Sequence, residues 1–131
     1  MMNQGTQKAN LVVVRRLCEE WPKLTRGDFH ELLAADCVYI NVPWSGHPRI
    51  GPDQAYDALS RYRSGWRVEL HIVHLVAEGD VVLAERLECF QKPGDTTVHD
   101  LYVMGAFEMK DGKIAKWRDY FDSRHVDPFL D

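Results

Sequence analysis

Val81-Val82-Leu83-Ala84-Glu85-Arg86-Leu87-Glu88-Cys89-Phe90-Gln91 lies between the turn triplet Glu78-Gly79-Asp80 and the polar loop Lys92-Pro93-Gly94-Asp95. An apolar-rich run closed at both ends by turn residues reads as a strand in a meander. Working outward, Trp66–Ala77 reads as the strand before it and His99–Met109 as the strand after it. Gly112–Asp122, beyond Lys110-Asp111-Gly112, reads as the last. Connections this short join antiparallel neighbours. Upstream the period changes. Leu11, Val14, Leu17, Cys18 and Trp21 recur at helical spacing between Lys8 and Trp21, with Pro22 just beyond. Asp28 and Glu31 form a D-x-x-E start signal for a second helix carrying Phe29, Leu32 and Leu33. Pro52 and Asp53 open a third helix, with Ala55, Leu59 and Tyr62, that ends near Gly65. Between helices two and three, Cys37–Val42 reads as a short strand and residues 43–52, rich in Pro and Gly, as an irregular loop. Helices first and a meander after predict an α+β domain, a curved antiparallel or mixed sheet wrapped on N-terminal helices. Residues 1–7 read as a flexible polar tail, 8–131 as one domain, and Ser123–Asp131 as a solvated end.

The chain of 131 residues, 45% hydrophobic and 27% charged, is long enough for a real core. Its net charge of −4 and lack of a basic block argue against nucleic acid as a partner. No apolar run reaches the length of a membrane span. Arg15 and Arg16 follow Leu11–Val14, the reverse of a signal-peptide layout. Cys18, Cys37 and Cys89 form no C-x-x-C pair and read as free, buried thiols of a cytoplasmic protein.

Strand parity assembles the candidate site. In Gly112–Asp122, Trp117, Asp119 and Phe121 share one face, so a carboxylate stands between two large aromatics. Such a group must be paired, hydrogen-bonded or protonated. In Val81–Gln91, Arg86 and Glu88 share a face with Val82, Ala84 and Phe90 and meet the same difficulty. If the two faces enclose one cavity, Arg86 can donate to both acids. One Arg⁺ between two carboxylates leaves a net −1, which protonation of one acid removes. The result is a proton donor beside a proton acceptor, or else a structural ion triad that braces the sheet. Tyr39 and Asn41 share a face of Cys37–Val42 and together can hold a water.

Tyr39-Ile40-Asn41, Glu85-Arg86-Leu87-Glu88 and the run Gly112 to Asp122 resemble, in order and spacing, the limonene epoxide hydrolases of the nuclear-transport-factor-like and SnoaL-like cone-fold superfamily. The resemblance implies a single-domain cone and a one-step hydrolysis without metal, cofactor or covalent intermediate. By this resemblance Asp119 is the base, acting on a water also held by Tyr39 and Asn41. Arg86 is the bridge between the acids, Glu88 is the acid that protonates the epoxide oxygen, and Trp117 is a pocket wall. The expected partners are a small apolar epoxide and water, and the product is a vicinal diol. The family pattern is Arg-x-Asp where this chain has Arg86-Leu87-Glu88, one methylene longer. Proton transfer of the isomerase or cyclase kind, and a non-catalytic ligand-binding domain, are the alternatives.

Parity groups the candidates for the remaining wall. Leu101, Val103, Gly105 and Phe107 share a face, which the resemblance places inward; Leu70, Ile72 and His74, the last at the pocket margin, share a face of the preceding strand; Leu17, Trp21, Leu59 and Tyr62 come from the helices, and Phe121 from the last strand. Trp44 and His47 sit in the loop that could cover the mouth. His71 and His74, three apart on a strand, point to opposite faces and cannot share a metal ion. Leu83, Leu87, Cys89, Met104 and Tyr120 leave the other sheet face apolar, and a homodimer is the expected cover.

Overall fold

Thr25 starts the second helix. Its side chain accepts from Asp28 N at 3.1 Å while the Asp28 carboxylate accepts from Thr25 N at 2.9 Å, a reciprocal capping box. The start signal is therefore T-x-x-D, three residues ahead of the predicted D-x-x-E. The computed structural model describes residues 4–126, and the chain runs α1 (Gln4–Glu20), α2 (Arg26–Leu32), β1 (Leu33–Asn41), β2 (Arg49–Ile50), α3 (Gly51–Arg63), β3 (Arg67–Glu78), β4 (Val81–Gln91), β5 (Val98–Lys110) and β6 (Lys113–Tyr120). Gln4–Gln7, read from the sequence as tail, are helical. Residues 1–3, and Asp127 and Asp131 of the expected solvated end, lie outside the described residues.

The six strands form one sheet in the order β2-β1-β6-β5-β4-β3. β3 to β6 are the predicted antiparallel meander, whereas β1 adds to β6 in parallel, which makes the sheet mixed. The loop 43–52 is more regular than its prolines suggest. It holds a 3₁₀ turn, Val42–Trp44, with Pro43 where no amide donor is needed, and the short β2 that pairs with β1. Gly51 opens α3 at φ +83°, and a side chain there would press on Ala35 O at 3.0 Å.

Register shifts in β1, β3 and at β5–β6 mark the bends that curve the sheet. The shift in β3, between Ile72 and His74, overturns one parity argument. Past it, Leu75 and Ala77 continue the inner face of Leu70 and Ile72, and His74 pairs across from Glu85 on the outer face. His74 is exposed and bonded to Glu85 at 2.7 Å, not at a pocket margin, and it shares the outer face with His71.

The helices close the concave face. α1 packs across β3 and β4 and α3 across β1. Val14, Leu17, Phe29, Phe107, Ile114 and Trp117 are wholly or almost wholly buried between them, each large side chain contributing about 1.5–3 kcal/mol. Among the described residues, the buried polar or charged ones besides Asn10 are Arg86, Glu88 and Asp119. No described helix is long and apolar enough to cross a membrane.

Candidate active site

Three strands bring the polar groups together. β4 supplies Arg86 and Glu88 on its buried face, whose residues Val82 to Phe90 alternate as parity requires. β6 supplies Trp117 and Asp119. β1 supplies Tyr39 and Asn41, and its parallel register with β6 sets Tyr39 beside Trp117 and Asn41 beside Asp119. β5 lies between β4 and β6, so Arg86 must cross it. It does so at Gly105, which stands opposite Asp119 on one side and Ala84 on the other.

The ion triad is formed. Arg86 Nη1 donates to Asp119 Oδ1 at 2.8 Å, and Nη2 donates to both Asp119 Oδ2 and Glu88 Oε2 at 3.1 Å. The indole N–H of Trp117 adds a bond to Asp119 Oδ1 at 2.9 Å. Trp21 lies beside the Glu88 carboxyl and acts to lower its pKa, against the effect of burial. Both tryptophans read from the sequence as walls; the donor role of Trp117 was missed, although it stands two residues from Asp119 on one strand face. The Tyr39 hydroxyl donates to Asn41 Oδ1 at 3.1 Å, and its ring stacks on Trp117 at 3.9 Å.

The three charged side chains are at most 8% exposed, and the electrostatics follow from that. Burial pushes the Glu88 carboxyl above its ordinary 4.5; Asp119 pushes the same way, and Arg86 only partly offsets them. Burial also holds the Tyr39 phenol far above its ordinary value, with Asp119 and Glu88 adding to the effect. Desolvation opposes the charge of Arg86, but Asp119 and its other neighbours outweigh it and the guanidinium stays protonated. The arrangement therefore sets a carboxyl whose pKa is raised next to one held by three donor nitrogens. Arg86 Nε is buried without a partner among the described residues.

Above the triad, Trp21, Leu59, Tyr62, Phe90, Leu101 and Val103 bound a cavity whose lining Trp44, Phe121 and Val126 complete. Its empty space, open solvent included, is about 480 Å³. Of the predicted wall, Trp21, Leu59, Leu101, Val103, Trp117 and Phe121 line this cavity. Leu17 and Leu70 do not: Leu17 is fully buried core, and Leu70 packs against the core on β3, whose inner face α1 covers. Val126, in the stretch read as a solvated end, is instead buried in the cavity lining, brought there by a 3₁₀ turn, Ser123–His125, after the strand pattern has ended. Among the described residues no three His, Cys, Asp or Glu side chains gather into a metal-binding group.

The limonene-1,2-epoxide hydrolase catalytic-domain profile matches residues 10–127. The chain is 38% identical over 105 residues to epoxide hydrolase EphG of Mycobacterium tuberculosis, which covers 76% of this chain and 66% of that protein. The chain thus spans just under two thirds of that relative's length. It superposes on an M. tuberculosis LEH-like epoxide hydrolase with a TM-score of 0.76 and 25% identity, covering 93% of this chain and 89% of the other. A protein described as a SnoaL-like polyketide cyclase, from Jannaschia sp. CCS1, superposes at 0.82 with 20% identity over 96% and 94% of the two chains. That last likeness is one of fold.

Proposed function

We propose that this chain, which belongs to the limonene-1,2-epoxide hydrolase family, opens an apolar epoxide to a vicinal diol in one step. The observation that carries the proposal is the single nitrogen, Arg86 Nη2, bonded to both Glu88 Oε2 and Asp119 Oδ2 inside an apolar cavity. Asp119 Oδ1 already accepts two bonds and Oδ2 one, which leaves Oδ2 the freer oxygen to take a proton. A water between Asp119, Asn41 and Tyr39 gives that proton to Oδ2 as its oxygen attacks an epoxide carbon. The C–O bond of the ring breaks, and the leaving oxygen takes the proton of Glu88. Asp119 ends protonated and Glu88 ionised, so one proton passes back between them before the next turnover, and no net proton is consumed. Both acids touch the same guanidinium, which keeps the cluster neutral before and after. Acid–base help of this kind contributes about 10²–10⁴-fold.

The test is turnover of a panel of terpene, styrene and alkyl oxides in ¹⁸O-labelled water. Label in one diol oxygen, lost in Asp119→Asn, is the expected result. Rearranged enone or cyclised product without label would support the isomerase or cyclase reading, and ligand binding with no turnover the binding-domain reading. The proposal includes a homodimer. Val73, Val76, Leu83, Tyr102, Met104 and Tyr120 leave the outer sheet face apolar and exposed, and a second copy is the proposed cover, checked by light scattering. The free thiols Cys18, Cys37 and Cys89 support a reducing, cytoplasmic setting.

A further inference from the structure

Outside the active cavity lies a second, wider hollow. It shares Tyr39, Asn41, Trp44 and Tyr62 with the inner one and adds Arg49 and Arg61, with His47 at its rim. Its empty space, open solvent included, is about 800 Å³. Arg49 stands directly across the β1–β2 pairing from Tyr39, so both side chains leave the sheet on the site's face. Arg61 precedes Tyr62 on α3. Both guanidiniums lie close enough to Tyr62 to act electrostatically on its hydroxyl.

Neither arginine has an Asp or Glu partner among the described residues. That is unusual for this chain, whose net charge is −4. Seven other arginines are ion-paired with a carboxylate. Arg63 donates to Leu24 O and faces the rings of Phe29 and Tyr56. Arg49 donates only to the backbone oxygen of His47, at 3.5 Å, which balances no charge. No carboxylate lines the outer hollow. Two uncompensated cations at the mouth of an apolar cavity are complementary to an amphipathic ligand with an anionic end.

We infer that the substrate is an epoxide on an apolar chain whose other end carries an anionic group, a carboxylate in its simplest form, held by Arg49 and Arg61 in the outer hollow. The ring's fate rests on the hydrolase reading above; the head group rests on the hollow alone. Arg49 and Asp119 are two strands apart and two residues apart along the sheet, roughly 12 Å between Cα atoms. The anion is thus separated from the ring by an apolar spacer and not attached to it.

Two measurements test this. In the first, calorimetry compares an inert saturated alkanoate with its methyl ester on wild type and on Arg49→Gln/Arg61→Gln. The alkanoate should bind wild type about tenfold tighter than the ester, and added salt should shrink the difference. The difference should vanish in the double variant. Equal affinity of acid and ester, a preference that survives the double substitution, or tighter binding of an alkylammonium would overturn the inference. Tighter binding of the matching alkyl phosphate keeps the anionic class and makes phosphate the head group. In the second, an ω-epoxyalkanoate and its methyl ester are compared as substrates. Equal kcat/KM leaves the hydrolase reading standing and removes this one. Alkanoate binding through the arginines with no epoxide opened does the reverse.

Discussion

Gly105 stands directly across the β5–β6 ladder from Asp119, and the side chain it lacks is what allows Arg86 to reach that carboxylate. A Cβ at this position would collide with Arg86 Nη1, lie 2.8 Å from Phe107 Cε1 and 3.1 Å from Asp119 Oδ1. All three neighbours are buried, and the nearest, the Arg86 guanidinium, can yield only by leaving the position in which it bonds Asp119 and Glu88. Gly105→Ala should therefore part the guanidinium from Asp119 by an ångström or so. A misplacement of that size costs about 10²-fold in rate, and the overpacking destabilises by about 1–3 kcal/mol. Diol formation and urea midpoints measured together check this; an alanine variant with wild-type kcat would refute it.

Trp117 presents its ring to Tyr39 and Phe107 and its N–H to Asp119. Trp117→Phe keeps an aromatic ring in the stack and removes the donor. Without that bond Asp119 Oδ1 accepts from Arg86 alone, and the carboxylate can turn. The expected loss, on the order of one hydrogen bond to a charged group at about 1.5–3 kcal/mol, should fall on kcat, with KM nearly unchanged. A loss confined to KM would make Trp117 a wall and nothing more.

How much of this was legible in the sequence depends on bulges and on distance along the chain. β4 has no register shift within it, so parity alone put Val82, Ala84, Arg86, Glu88 and Phe90 on one face. β3 has one, and a single extra residue inverts every assignment after it; that is why His74 faces solvent and why His71 and His74 share a face. The pairing of Asn41 with Asp119 joins strands far apart in sequence through a parallel ladder, and no local pattern encodes such a register. Leu17 and Trp21 lie one helical turn apart, and periodicity could say that both are buried but not that only Trp21 reaches the cavity.

Glu88 is held by Arg86 Nη2 at 3.1 Å and is almost fully buried, so the longer acid is seated in the chain's own geometry. Glu88→Asp draws the carboxyl back by more than an ångström from Arg86 and should lower kcat by as much as about 10²-fold. Glu88→Gln keeps length and shape but carries no acidic proton, and should lose about 10²-fold or more while still binding ligand. The order Glu, then Asp, then Gln in kcat is the prediction. A glutamine variant as fast as wild type would remove Glu88 from the chemistry.

The same residue gives stability a pH dependence whose sign can be worked out. Burial raises the Glu88 pKa in the folded chain above its ordinary 4.5. Between 4.5 and the raised value the folded chain holds a proton that the unfolded chain has released. Proton uptake thus favours the fold, and stability declines as pH rises through that window, by about 1.4 kcal/mol for each pH unit crossed. The stabilising contribution is complete below 4.5 and gone above the raised value. Glu88→Gln has no such proton, so subtracting its urea-denaturation profile from that of wild type cancels the surface groups and isolates Glu88. The difference should fall with rising pH. The same ionisation removes the acid from the reaction, so wild-type kcat should fall on the alkaline side over the same range, while the residual rate of Glu88→Gln lacks that limb. A difference profile that is flat, or that rises with pH, would mean that Glu88 is ionised in the fold and cannot be the proton donor.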